Sequence, residues 1–270
     1  MRREKDIVYI ATISGGKDSV TMCDLLLKNS YPVDYILFYD TLQEFPLMYE
    51  YIEKLKVYFK DRYNKEIIVL KPKTTFEDWC YGTINKKGAL YDGYIRGIPM
   101  VWSEPCYWRR EAKIKPFEDF FKSNNIKSYK TYIGFTVDEK NRVMKGDEFI
   151  YPLIDYFNFS ENDCKKYLLE QEMENPLYRF FNRTGCGICP AQSKKAWFEV
   201  WKNFKDTWNY MKQIENELFR LERIGYKIKS KYWFPKFKTI SDYEKEFIKI
   251  NQGSLFDFSD EPLKDCFCKI

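Results

Sequence analysis

The chain has 270 residues, 44% of them hydrophobic and 31% charged, and a formal net charge of +5. This composition belongs to a folded chain rather than a disordered one, and the length allows one large domain or one domain with an appendage. No histidine is present, which excludes imidazole bases and His-ligated metal sites and leaves proton transfer to carboxylates, Lys, Tyr, Cys or the substrate.

The first six residues are charged, and the apolar run Ile7 to Ile13 is too short to span a membrane. A cytoplasmic location without a membrane partner is the expectation, and the eight cysteines are expected as thiols or metal ligands rather than disulfides.

The run Ile7 to Ile10 predicts a strand, Ser14-Gly15-Gly16-Lys17-Asp18-Ser19 a glycine-rich turn, and Val20 to Leu27 a helix. Glycines let backbone approach a ligand closely, and a helix N-terminus presents N–H donors and partial positive charge to phosphate. Asp18 or Ser19 is expected to cap the helix. Val33–Tyr39 predicts a second strand ending at Asp40-Thr41, residues 47–59 a helix, and 66–70 a third strand. Residues 74–105 are broken by Gly and Pro and read as a lid or substrate loop near the nucleotide. Helical pieces follow to residue 124, with Pro116 opening the second. Residues 130–135 predict a fourth strand, 136–142 a polar loop, and 149–154 a fifth strand. Ser160 is placed to cap a helix running to about Gln171.

Beyond Asn175 comes Gly185-Cys186-Gly187-Ile188-Cys189-Pro190, then helices near 194–204, 207–224 and 241–250. The basic and aromatic stretch 226–237 reads either as a track for a nucleic-acid backbone or as a Lys-rich surface loop with apolar anchors. The alternation predicts an α/β fold, a doubly wound, mainly parallel sheet of five strands with a helical C-terminal part. The division expected is 1–190 for nucleotide binding and 191–270 for the helical region.

The six-residue loop resembles the S-G-G-x-D-S signature of the PP-loop ATP pyrophosphatases. Asp40-Thr41 with Glu44 and Pro46, then Gly134 with Asp138, Glu139 and Arg142, then Tyr151-Pro152-Leu153, Asn175-Pro176-Leu177-Tyr178 and the Cys-x-x-Cys-Pro turn follow in the order of the phosphoadenosine phosphosulfate reductase family. The chain resembles that family, within the adenine nucleotide alpha-hydrolase group, over about residues 5 to 195.

The resemblance implies ATP and magnesium as cofactors, with Ser14, Gly15, Gly16, Lys17, Asp18, Ser19, Asp40, Thr41 and Gly134 binding the nucleotide. Lys17, Asp18, Asp40 and Arg142 would carry the catalytic charge, with Asp18 and Asp40 as magnesium ligands. Asp40 reads equally as a strand-end turn former, and the Asp138–Arg142 segment as a solvated charged loop. Cys186 and Cys189, with Cys106 as third ligand, suit a 4Fe-4S cluster or, secondarily, zinc. The family's tandem second Cys is replaced by Tyr107, so a fourth ligand would come from Cys80, Cys164, Cys266 or Cys268, or the fourth iron would be open. The tail pair Cys266 and Cys268 departs from the nucleophilic tail of the sulfonucleotide reductases and reads as inert.

The function implied is cleavage of ATP at the α–β bond to activate a nucleic-acid acceptor, tRNA or DNA, for sulfur transfer, with a donor such as a cysteine desulfurase. The alternative within the family is an adenylylsulfate or phosphoadenylylsulfate reductase; such enzymes have usually lost the Gly-Gly-x-Asp core that this chain keeps. An alternative of another class is a metal-stapled, non-catalytic nucleic-acid-binding protein.

Overall fold

The computed structural model describes residues 3–101 and 103–252, so the Cys266 and Cys268 tail lies outside the described residues. Two compact units form: one from residues up to 71 together with 112–185, the other from 72–111 together with residues from 186 onward. The chain is therefore not cut once near 190. Residues 74–105, expected as a lid, lie within the 72–111 segment that joins the C-terminal helices in one unit, because its aromatic side chains find their core there.

In the first unit the sheet has the order β3-β2-β1-β4-β5, with β1 at Val8–Ile13, β2 at Tyr35–Tyr39, β3 at Ile67–Leu70, β4 at Tyr129–Tyr132 and β5 at Phe149–Ile150. Every pairing is parallel. β5 stops short of the expected residue 154, because Pro152 opens the helical turn α5, Pro152–Asp155. Helices α1 (Lys17–Lys28) and α2 (Pro46–Tyr63) carry the chain outward from β1 to β3. It then returns to β4 on the other side of β1, so strand order reverses between β1 and β4. Ligands of open α/β sheets bind beyond the carboxyl ends at such a reversal, and the glycine-rich turn after β1 lies there.

A helix covers each face. α4, Lys115–Ser123, lays Phe117, Phe120 and Phe121 on Ile10, Leu37, Tyr39 and Leu70. Right-handed crossovers put α1 and α2 on the opposite face, where α6, Glu161–Glu170, packs on α1. These three helices meet at Asp24, which is fully buried. Its Oδ1 accepts from the Tyr58 hydroxyl at 2.9 Å and the Tyr63 hydroxyl at 2.8 Å, and its Oδ2 from Tyr167. A buried carboxylate is tolerated only when satisfied in this way.

The second unit contains α3 (Phe76–Tyr81), α7 (Lys194–Asn203), α8 (Lys205–Arg223) and α9 (Ile240–Asn251). Its core is aromatic: Trp197, Trp208, Trp233, Phe234 and Phe247 are each at most 1% exposed. Phe76 stacks on Trp233 with centroids 6.0 Å apart, which is what recruits the segment after residue 72. Among the described residues no helix is long and apolar enough to cross a membrane.

Glu215, on α8, is 3% exposed and accepts the Ile240 N–H at the start of α9 at 2.8 Å. Burial pushes its carboxyl up to about 7, with Asp242 and Glu244 adding to the rise and the Ile240 N–H and Lys212 opposing it. A raised carboxyl favours the protonated folded state. Its contribution is present below the unfolded-state value and is lost as pH rises through 7. Between pH 5 and pH 8 the wild type should lose on the order of 3 kcal/mol relative to Glu215→Gln. Urea unfolding at the two pH values checks this; parallel losses in both proteins would show that Glu215 does not titrate with folding.

Candidate phosphate-binding site

The site grows from the end of β1. Gly15 takes φ +73°, and a Cβ there would stand 2.3 Å from Met48 Sδ, so only glycine fits. Gly16 is the N-cap of α1 and makes no side-chain cap bond. The expected cap by Asp18 or Ser19 is not made, because the Ser19 hydroxyl is used inside the loop. It accepts the Ser14 N–H at 3.0 Å, donates to the Gly16 carbonyl at 3.0 Å and lies 3.0 Å from the Ser14 hydroxyl. Ser19 thus fixes the loop's curvature, and Gly16 leaves the helix N-terminus without a side-chain acceptor of its own.

Gly134, just past β4, is required for a different reason. A Cβ there would lie 2.9 Å from Ser19 Cα and 3.0 Å from Ser19 N. The β4 exit and the first turn of α1 are in backbone contact, and the crevice at the strand reversal is closed on that side by the chain itself.

Lys17 and Asp18 occupy the first turn of α1 and are largely buried, their side chains 16% and 11% exposed. Lys17 Nζ lies 3.5 Å from Asp18 Oδ1 and 2.6 Å from Glu161 Oε2. Burial alone would lower the Lys17 ammonium; Asp18, Glu161 and Tyr178 outweigh it, so the group is raised and stays charged. The Lys17 N–H donates to the Tyr178 hydroxyl at 2.8 Å, and Asn175 Nδ2 donates to the Gly15 carbonyl at 2.8 Å.

Asn175, Tyr178 and Glu161 thus belong to the loop's surroundings, a placement the sequence did not disclose. The first two were visible only as a motif without a role, and Glu161 only as the residue after a helix cap.

Asp40 and Arg142 each have local partners. Asp40 is 2% exposed. Its Oδ1 accepts the Leu42 N–H at 2.8 Å and the Tyr49 hydroxyl at 2.9 Å, while Oδ2 stands 3.5 Å from Lys71 Nζ. These bonds are those of a turn former. Thr41 donates to Glu44 at 2.7 Å, a carboxyl that burial raises. Arg142 Nη1 lies 2.5 Å from Glu139 Oε1 and its guanidinium covers the Phe135 ring at 4.9 Å. Glu139 therefore offsets its charge.

Magnesium takes one or two protein carboxylates and fills its remaining positions with water and phosphate oxygens. Asp18, beside the loop and within reach of Lys17, fits that demand, and Asp40 fits it less well because one of its oxygens already serves the turn. A cavity of about 760 Å³ opens at the amino ends of β4 and β5, lined by Lys127, Tyr129, Gly146 and Glu148. That is the edge opposite the loop.

Cys186 and Cys189 share one turn: the Cys189 N–H donates to the Cys186 carbonyl at 3.1 Å, and Gln192 Nε2 donates to the Cys186 and Gly187 carbonyls at 3.1 and 3.0 Å. Both, like Cys106, are half-buried. Cys106 precedes the helical segment rather than opening it, as the first regular turn begins at Trp108. Among the described residues no group of three or more Cys, Asp or Glu side chains is arranged to hold a metal ion. Cys80 and Cys164 are buried, and desolvation raises both thiols.

The phosphoadenosine phosphosulfate reductase domain family matches residues 8–127. No curated protein matches the chain. Among solved structures, phosphoadenylyl-sulfate reductase from Candida auris is similar at 21% identity and TM-score 0.46, over 66% of this chain and 80% of that one. The U34-tRNA thiolase NcsA from Methanococcus maripaludis, with its [4Fe-4S] cluster, is similar at 12% identity and TM-score 0.37, over 92% of this chain and 73% of that one. Both scores are low, and the fold stands on the strand order described above.

Proposed function

We propose that the chain is an ATP-dependent enzyme that cleaves ATP between the α- and β-phosphates and activates a nucleic-acid acceptor, a tRNA base or a DNA backbone, for sulfur insertion. The observation that carries the ATP reading is the position of Lys17 and Asp18. They stand in the first turn of the helix that follows the central strand, on a glycine loop whose shape Ser19, Asn175 and Tyr178 all fix.

An acceptor oxygen attacks the α-phosphorus, the bond from that phosphorus to the α–β bridging oxygen breaks, and pyrophosphate leaves. The acceptor is left as an adenylate, from which a sulfur nucleophile displaces AMP. The Lys17 ammonium and the N–H groups of the first turn offset the charge that builds on the departing pyrophosphate. Magnesium, when bound at Asp18, would add a Lewis acid at the phosphate oxygens.

The family match favours a second reading, reduction of a sulfonucleotide to sulfite by a thiol. A sulfonucleotide has no β- and γ-phosphates, so that reading leaves Lys17 and Asp18 without their use.

With ATP labelled in the α-phosphate, the expected products are AMP and pyrophosphate, and Asp18→Ala should lower their formation at least a hundredfold while leaving thermal stability within a few degrees. ADP and phosphate as products would overturn the assignment. Sulfite release from adenylylsulfate and a thiol would establish the second reading.

The Cys186–Cys189 turn is where a metal or cluster would be held in this proposal. Protein purified without oxygen should contain iron and acid-labile sulfide, both lost when Cys186 and Cys189 are replaced by Ser. Zinc alone, or no metal, would remove the cluster from the reading.

A further inference from the structure

The second unit carries a feature that ATP cleavage does not use. Residues 84–94 close a hairpin: the Ile84 N–H donates to the Tyr94 carbonyl at 2.8 Å and the Gly93 N–H to the Ile84 carbonyl at 2.9 Å. The outgoing strand then pairs with a segment more than a hundred residues later, Ile95 bridging Ile228 in parallel. The Ile95 N–H donates to the Lys227 carbonyl and the Lys229 N–H to the Ile95 carbonyl, each at 2.9 Å. Gly97 is needed for this approach, since a Cβ there would meet the Ser230 carbonyl oxygen at 1.7 Å.

This ribbon interleaves tyrosines with lysines. Lys229 Nζ stands 5.2 Å from the Tyr91 ring and 5.0 Å from the Tyr107 ring, and Lys227 Nζ stands 5.6 Å from the Tyr94 ring. Tyr107 is 51% exposed. Lys229 also pairs with Glu104 at 2.5 Å, so it serves to hold two rings rather than to meet a ligand. Lys86, Lys87 and Lys227 are exposed. Residues 82–110 and 226–231 together hold eight Lys or Arg against one Asp and one Glu, so these two segments exceed the net charge of the whole chain, +5.

We propose that this ribbon docks an unpaired segment of nucleic acid, its bases on the tyrosine rings and its phosphates on Lys86, Lys87 and Lys227. Flat rings held by lysines, beside cations that remain exposed, match a polymer with alternating π-faces and phosphates. An acidic peptide would use the cations and leave the rings without purpose. The ribbon would hold the acceptor of the reaction proposed above and rests on that reading for its purpose alone.

Fluorescence anisotropy with end-labelled unpaired RNA and DNA 16-mers, and with the matching duplex, tests the surface on the full chain. Unpaired strands should bind more tightly than duplex, with an affinity that falls as salt rises. The triple variant Lys86→Glu, Lys87→Glu, Lys227→Glu should weaken binding at least tenfold and flatten the salt dependence by about two in log–log slope. Tyr94→Ala should weaken binding about five- to tenfold with the slope unchanged. ATP affinity, measured on the same samples, should be unchanged and reports that the variants fold. The stronger of the RNA and DNA arms identifies the source of the strand.

Equal binding of duplex, undiminished binding by the variants, or binding to anionic lipid vesicles in place of oligonucleotides would overturn the proposal. ATP cleavage without oligonucleotide binding would remove the surface and leave the activity. Oligonucleotide binding without ATP cleavage would do the reverse.

Discussion

The contact on which the site depends is the pinning of a glycine loop by side chains from the far end of its own unit. Asn175 holds the Gly15 carbonyl and Tyr178 holds the Lys17 N–H. Glycine-rich backbone is floppy on its own, because it has more conformations to lose than any other residue type. Two hydrogen bonds from residues about 160 positions away remove that freedom before any ligand arrives. The ammonium of Lys17 is engaged differently. Its partner Glu161 is 47% exposed on its side chain, and solvent holds such a pair to about 1 kcal/mol or less. In the proposed reading a polyphosphate, with several charges and the helix N-terminus behind it, would displace a contact of that size, leaving Glu161 as a placeholder and Tyr178 as the support.

Behind the loop, the same helix is anchored at its middle. Asp24 gathers hydroxyls from α2 and α6 onto α1, so the three helices on that face share one buried acceptor. Such a carboxylate adds little net stability, yet removing it would leave three hydroxyls unsatisfied. It specifies position: α1 cannot slide along the sheet without breaking all three bonds. Gly134 limits the other direction, where β4 backbone meets Ser19 backbone. Loop curvature, helix position and crevice width are therefore fixed by three separate local contacts, each within one unit.

Much of this was legible in the sequence, and the reason is the range of the physics involved. Apolar β-branched runs at 7–13, 33–39 and 66–70 are buried strands by composition, and the glycine pair before a helical pattern marks the loop. The capping box at Ser160 with Asp163 is present as its residues announce. What stayed hidden depends on distance in the chain. Nothing near residue 24 says that Tyr58, Tyr63 and Tyr167 converge on it. Nothing near residue 76 says that its aromatic partner is Trp233, so residues 74–105 looked like a lid when Phe76 and Trp79 belong to a core. Nor does anything near Asp40 in the sequence say that one of its oxygens, Oδ1, takes both the Leu42 N–H and the Tyr49 hydroxyl.

The central claim is that this loop takes the phosphates of ATP, with Lys17 leaving Glu161 to do so. Calorimetric titration of ATP into the wild type, Lys17→Ala and Glu161→Gln tests it most directly. The account predicts that Glu161→Gln binds ATP several-fold more tightly than wild type and that Lys17→Ala binds at least tenfold more weakly. Equal affinities across the three proteins, or weaker binding by Glu161→Gln, would contradict it.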